Sequence, residues 1–154
     1  MLKVSKINVI DEFRPAGRPP FVDHLFPAQP AVLARRWALS RLVAAGGAAT
    51  ARVTILDGSV KAEDLSRDLG IEGAFKLEQE VLYAGRLEVM VEIVDPDGVA
   101  VAVARAEVDR HQTLPEGTTL NQRDRMFFDM ADQLVTDLDQ ELSARMSEYL
   151  AGFL

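Results

Sequence analysis

Between Val81 and Val108 the chain alternates twice, in two runs joined by Asp95-Pro96-Asp97-Gly98. In the first run Val81, Tyr83, Leu87, Val89, Val91 and Ile93 share one parity, and Arg86, Glu88 and Glu92 share the other. Successive side chains of a strand point to opposite faces, so this run is a strand with one buried and one wet face. The Pro-Asp-Gly turn reverses the chain into a second strand through Val99, Val101 and Val103. An antiparallel sheet is therefore the centre of the fold. Its apolar face needs a cover, and the helices available lie before and after the hairpin in sequence.

Val4 to Ile10 reads as a first strand, ended by Asp11-Glu12. Arg14 to Pro30 is a connection studded with Pro15, Pro19, Pro20, Pro27 and Pro30, which exclude a regular helix or a central strand. Pro30 suits the first turn of a helix, where a missing N–H is harmless, and Gly46-Gly47 stops that helix near Ala45. Leu33, Trp37 and Ala44 share one side of it, and Val32, Leu39, Leu42 and Val43 another. Arg35, Arg36 and Arg41 interrupt the cylinder, so its buried stripe is left open. Ala51 to Ala62 reads as the next strand, with Ala51, Val53 and Ile55 alternating against Arg52 and Thr54.

Glu63 to Glu80 is polar and punctuated by glycine, and reads as a long excursion between strands with Phe75 and Leu77 as anchors. The second hairpin strand fades near Arg110-His111, and Leu114-Pro115-Glu116-Gly117 turns the chain out of the sheet. Thr119 and Gln122 have capping-box spacing, and neither Pro nor Gly interrupts the sequence from there to Leu150. A helix of that length reaches roughly 45 Å. Phe127, Ala131, Leu134, Leu138, Leu142 and Tyr149 form its apolar stripe, with Glu141 and Arg145 paired beside it at i,i+4. The order β-α-β-β-β-α predicts one α+β domain over residues 1–154. It is a two-layer sandwich, an antiparallel sheet of about four strands covered on one face by two helices.

A net charge of −7 argues against a nucleic-acid partner, which calls for a basic face. The arginines Arg14, Arg18, Arg35, Arg36 and Arg41 are a local exception, spread over a loop and a helix. No apolar run approaches the roughly 20 residues that span a bilayer. The absence of cysteine excludes disulfides, thiolate metal sites and a cysteine nucleophile in this chain. The start, Met1-Leu2-Lys3-Val4-Ser5, has no charged segment followed by an apolar one, so it is no signal peptide. The chain is either cytoplasmic or a mature domain whose leader has been removed.

Nothing in the sequence makes a catalytic constellation. His24 and His111 have Asp23 and Asp109 beside them but no metal-motif spacing, and a metal site needs about three or four ligands. The acids of the last helix, among them Asp129 and Asp132, read as a solvated face. Asp95-Pro96-Asp97-Gly98 lacks the later acids of a calcium loop. No serine sits in a nucleophile elbow, and Gly46-Gly47 follows a helix, unlike a dinucleotide or phosphate loop. We therefore expect no enzyme activity, no cofactor and no metal.

The segment that stands out is Phe21-Val22-Asp23-His24-Leu25-Phe26, apolar residues between prolines. Either it folds down as a lid on the core or it presents an apolar patch to a partner protein or an acyl chain. Phe21, Val22, Leu25 and Phe26 are the candidate partner-binding residues. The apolar end of the last helix (Met146, Tyr149, Leu150, Phe153, Leu154) is a second candidate, completing the core or meeting another subunit.

Several stretches together resemble a known group. They are Leu2-Lys3-Val4 entering a strand, the helix with Trp37 before Gly46-Gly47, Leu120-Asn121-Gln122-Arg123-Asp124-Arg125, and the run from Leu134 through Asp139 to Glu141-Leu142. The chain resembles small, mostly uncharacterised lipoproteins of the Gram-negative envelope. These are similar in architecture to the lipopolysaccharide-assembly lipoprotein of the outer membrane and to auxiliary lipoproteins of lipid-transport ABC systems. The resemblance implies periplasmic residence, anchoring through a lipidated cysteine upstream of Leu2, and a non-enzymatic accessory role beside a membrane-protein or transporter partner. The alternative is a small-ligand binder or enzyme with a pocket between the sheet and residues 63–80, using Tyr83, Arg86 and His111. A third reading is a cytoplasmic dimer whose long helices pair.

Overall fold

The computed structural model describes residues 1–68 and 77–154. Its elements are β1 (Lys6–Asp11), α1 (Pro30–Arg41), β2 (Thr50–Asp57), β3 (Val60–Asp68), β4 (Leu77–Val94), β5 (Ala100–Pro115) and α2 (Leu120–Tyr149), with single 3-10 turns at Asp23–Leu25 and Ala151–Phe153. The five strands make one open sheet with both helices packed on it, the expected α+β arrangement with one strand more.

β4 organises the sheet. Along one side it pairs antiparallel with β5, from Glu80 opposite Pro115 to Val94 opposite Ala100. Along the other it pairs with β2 through Glu88–Val94 and with β3 through Leu77–Gly85. Asp57 faces Glu88 and Val60 faces Gly85, so β2 and β3 are one line of chain interrupted at Gly58-Ser59. The interruption has a steric cause. Gly58 lies under α1, where a Cβ would come 2.7 Å from the Ala31 Cβ. The Asp57 carboxylate accepts the Ser59 N–H at 2.9 Å and holds the bend.

Several expectations are corrected. β1 runs parallel to β2, Lys6 opposite Thr50, so the sheet is mixed. Residues 63–80 are no excursion where they are described: β3 continues to Asp68 and β4 begins at Leu77. Phase of hydrophobicity gives no sign of these arms because backbone pairing holds them. Phe75 lies outside the described residues. α1 ends at Arg41, because residues 43–46 pair instead with the N-terminal segment: Leu2 donates to the Val43 carbonyl, and Ala45 and Gly46 donate to Leu2 and Val4. β5 extends to Pro115, past its expected fading near Arg110.

The hairpin turn is built by Asp95, whose Oδ1 accepts the N–H groups of Asp97 and Val99, with Gly98 at φ 86°. α2 carries the full capping box between Thr119 and Gln122. Met126, Phe127, Met130, Ala131, Leu134, Leu138, Leu142 and Met146 are its buried residues, while Tyr149 points to water. They cover Leu87, Val89, Val91 and Ile93 of β4 and the small Ala104 and Ala106 of β5. The valines of the second hairpin strand take the opposite side: Val99, Val101 and Val103 are exposed. The end of the chain folds back, with Leu150 fully buried and the Phe153 carbonyl accepting the Lys3 N–H.

On the uncovered face of the sheet, charges lie in alternating rows. Glu88 is buried there by Arg86 and Arg105, Arg86 also reaches Glu107 at 2.6 Å, and Arg52 meets Glu92. Cross-strand pairing of opposite charges is what lets an acidic sheet keep a wet face.

Candidate docking surface

The proline-rich connection is laid against the outer edge of β3. Phe21 bridges to Lys61, the Val22 N–H donates to Val60 at 2.8 Å, and the Ala62 N–H donates to Pro20 at 2.8 Å. A loop with prolines on either side thus adds one isolated bridge to the sheet edge, where few N–H donors are needed on the solvent side. The Asp23–Leu25 turn follows. Asp23 is buried, and its Oδ1 accepts the Val60 N–H at 3.4 Å.

This turn separates the four candidate residues. Phe26 is 4% exposed and stacks on Phe127 with ring centroids 4.0 Å apart and planes 8° apart. Tyr83 meets the same Phe127 ring edge-on at 5.1 Å. Phe26 is therefore a core residue and not a contact residue, because the turn drives it inward between sheet and α2. Leu25, one position earlier, is 49% exposed. Phe21 and Val22 are half-buried.

Phe21 walls two adjoining hollows. One, of about 300 Å³, is lined by Asp57, Ser59, Lys61, Ala84, Arg86 and Asp109 among others. The second, of about 280 Å³, is lined by Phe13, Arg14, Ala16, Leu56 and Asp57. The Lys61 ammonium sits 5.4 Å from the Phe21 ring centroid, a cation–π contact that steadies the ring. Arg86 lies 3.6 Å from Asp57. The surface at these hollows is apolar at Phe21 and mixed in charge at its rim, while Val22 packs against the core and Leu25 stands exposed in the turn that follows. Phe13, Leu56 and Lys61 join it without a sequence signal, since nothing in the alternation of β2 and β3 says that a distant loop is laid beside them.

Tyr83, Arg86 and His111 are not brought together. Tyr83 points under α2, where burial raises its phenol pKa, partly countered by the nearby Arg123 charge. Arg86 and His111 are on the opposite, open face, His111 opposite Ala84 in the β4–β5 ladder and exposed. His24 sits half-buried in the Asp23–Leu25 turn. Among the described residues no group of three or more His, Cys, Asp or Glu side chains is placed to hold a metal ion. Among them, too, no helix is long and apolar enough to cross a membrane.

No protein-family model matches the chain, and no curated protein matches it either. Among solved structures, the chain is similar to a minor lipoprotein from Acinetobacter baumannii. The two are 15% identical, with 90% of this chain and 92% of that one covered, at a TM-score of 0.46. A likeness that loose assigns neither fold nor function.

Proposed function

We propose that this chain is a non-catalytic accessory protein of the bacterial cell envelope. It docks on a membrane-protein or transporter partner through the surface carrying Phe21, Val22 and Leu25. The observation that carries the docking reading is Leu25, a large apolar side chain 49% exposed at the tip of a turn whose flanks, Asp23 and Phe26, are buried. An apolar group held in water on a rigid mount loses little entropy when a partner covers it, which is the economy of a contact residue. The envelope reading is supported by the resemblance of the N-terminal strand, the tryptophan helix and the final helix to small envelope lipoproteins.

The test is a photo-activated cross-linker at position 25 in the protein's own cells, with a second at Asp97 in the exposed hairpin turn as control. An adduct with an envelope membrane protein at position 25 and none at 97 supports the reading. Its loss on replacing Phe21 with serine, with thermal stability nearly unchanged, completes it. Identical adducts at both positions, or none at 25, contradict it. The alternative of a small polar ligand draws on the convergence of Lys61, Arg86, Asp57 and Asp109 on the 300 Å³ hollow. It is tested by the loss of ligand-induced thermal stabilisation in Lys61→Gln.

A further inference from the structure

The charge of this acidic chain is unevenly spread. Residues 13–56 carry six arginines and a single acid, Asp23, which is buried. α1 lies in the middle of that stretch, and it packs the wrong way round for an ordinary amphipathic helix. It buries Ala31, Ala34 and Ala38 and leaves Val32 and Leu39 in water, 48% and 61% exposed. At about 3.6 residues per turn, Val32, Arg35, Arg36 and Leu39 share the side facing away from the core. Val43, just beyond the helix, is 51% exposed. Arg41 is held by Asp139 at 3.1 Å, whereas Arg35 and Arg36 form no ion pair among the described residues.

We propose that this face of α1 docks on the surface of an anionic phospholipid bilayer. Charge complementarity chooses the occupant: two unpaired arginines interleave with exposed aliphatic side chains, residues 24–56 contain no acid, and Asp139 of α2, which lies beside the helix, is engaged by Trp37 and Arg41. The boundary between headgroup phosphates and acyl chains supplies anions and an apolar layer at nearly one depth, matching both residue types. A nucleic acid supplies phosphates but no apolar layer, and the rest of the chain is strongly acidic. The N-terminal segment sits at the same end, Leu2 bridging to Ala44 and the exposed Lys3 adding a cation. The inference needs no lipidated anchor, so failure of the envelope reading leaves it standing, and its own failure leaves that reading untouched.

The experiment is co-sedimentation of the 154-residue chain with vesicles of phosphatidylcholine alone and of phosphatidylcholine mixed with phosphatidylglycerol, at low and raised salt. Binding is expected only to the phosphatidylglycerol vesicles, weakening with salt. Replacing Arg35 and Arg36 together with Gln is expected to weaken it about twenty-five-fold, roughly five-fold for each arginine beside an anionic surface. Val32→Ser with Leu39→Ser is also expected to weaken it. All four side chains are exposed, so the thermal midpoint stays where it is. Equal binding to both vesicle types, no binding to either, or binding indifferent to the arginine substitutions overturns the proposal. So does salt-sensitive self-association without vesicles that the same arginine substitutions abolish, since the face then belongs to a second copy of the chain.

Discussion

Replacing Phe26 with alanine separates a core residue from its exposed neighbour Leu25. Phe26 is 4% exposed and lies flat on Phe127, centroids 4.0 Å apart. Tyr83 meets Phe127 edge-on, so the three rings form one packed cluster between β4 and α2. Removing a buried ring of this kind destabilises a protein by about 3–5 kcal/mol, transfer and cavity terms together. Ring–ring geometry accounts for about 0.5–1.5 kcal/mol of such stacks beyond burial. In a chain of this size each kcal/mol moves the thermal midpoint by about 2–4 °C, so Phe26→Ala is expected to lower it by roughly 10 °C. Leu25→Ser, one position away on the exposed side, is expected to stay within about 0.5 kcal/mol of the parent. Both are read by thermal and urea unfolding followed by circular dichroism. If Phe26→Ala costs less than about 1 kcal/mol, or if Leu25→Ser costs as much, the inside-out assignment of the turn is wrong.

Asp139 of α2 accepts hydrogen bonds from Trp37 Nε1 at 2.8 Å and Arg41 Nε at 3.1 Å, fastening α1. Asp139→Ala is expected to cost about 1–3 kcal/mol, and Trp37, the single tryptophan, reports it as a change in fluorescence. Arg110 binds Asp137 through two hydrogen bonds of 2.6 and 2.9 Å, which hold the Asp137 carboxyl below its ordinary pKa. A lowered folded pKa means stability present above the ordinary carboxylate value, about 3.9, and lost as pH falls through the folded value. Asp137→Asn should therefore flatten the acid limb of the stability profile by about 0.5–1 kcal/mol, small because the pair is partly exposed. A Cβ at Gly58 would sit 2.7 Å from the Ala31 Cβ, so Gly58→Ala is expected to cost about 1–3 kcal/mol in denaturant unfolding.

The hairpin and α2 are legible in the sequence because a half-buried strand and a capped amphipathic helix each write their period into the chain. Leu87, Val89, Val91 and Ile93 on one side, and Thr119 with Gln122 at the helix start, settle where each element lies and which face it buries. The arms of β3 and β4 write no such period: Glu63 and Asp64 stand opposite Leu82 and Val81 in the antiparallel ladder, which holds them through the backbone. The parallel pairing of β1 is equally silent, since alternation carries no direction. α1 misleads because its large residues suggest the buried faces, while contact with Gly58 favours the small Ala31 side. In the candidate site, composition marks the loop as unusual. One turn of 3-10 helix then decides that Phe26 goes in and Leu25 stays out, and that turn depends on the β3 edge contributed by residues far along the chain.

An envelope role for this chain is read at its native N-terminus. Mass spectrometry of the protein recovered from membrane and soluble fractions of its own cells reads that terminus without any assumption about a partner. A lipidated cysteine upstream of Leu2 is expected in the membrane fraction. An unmodified Met1 in the soluble fraction contradicts it.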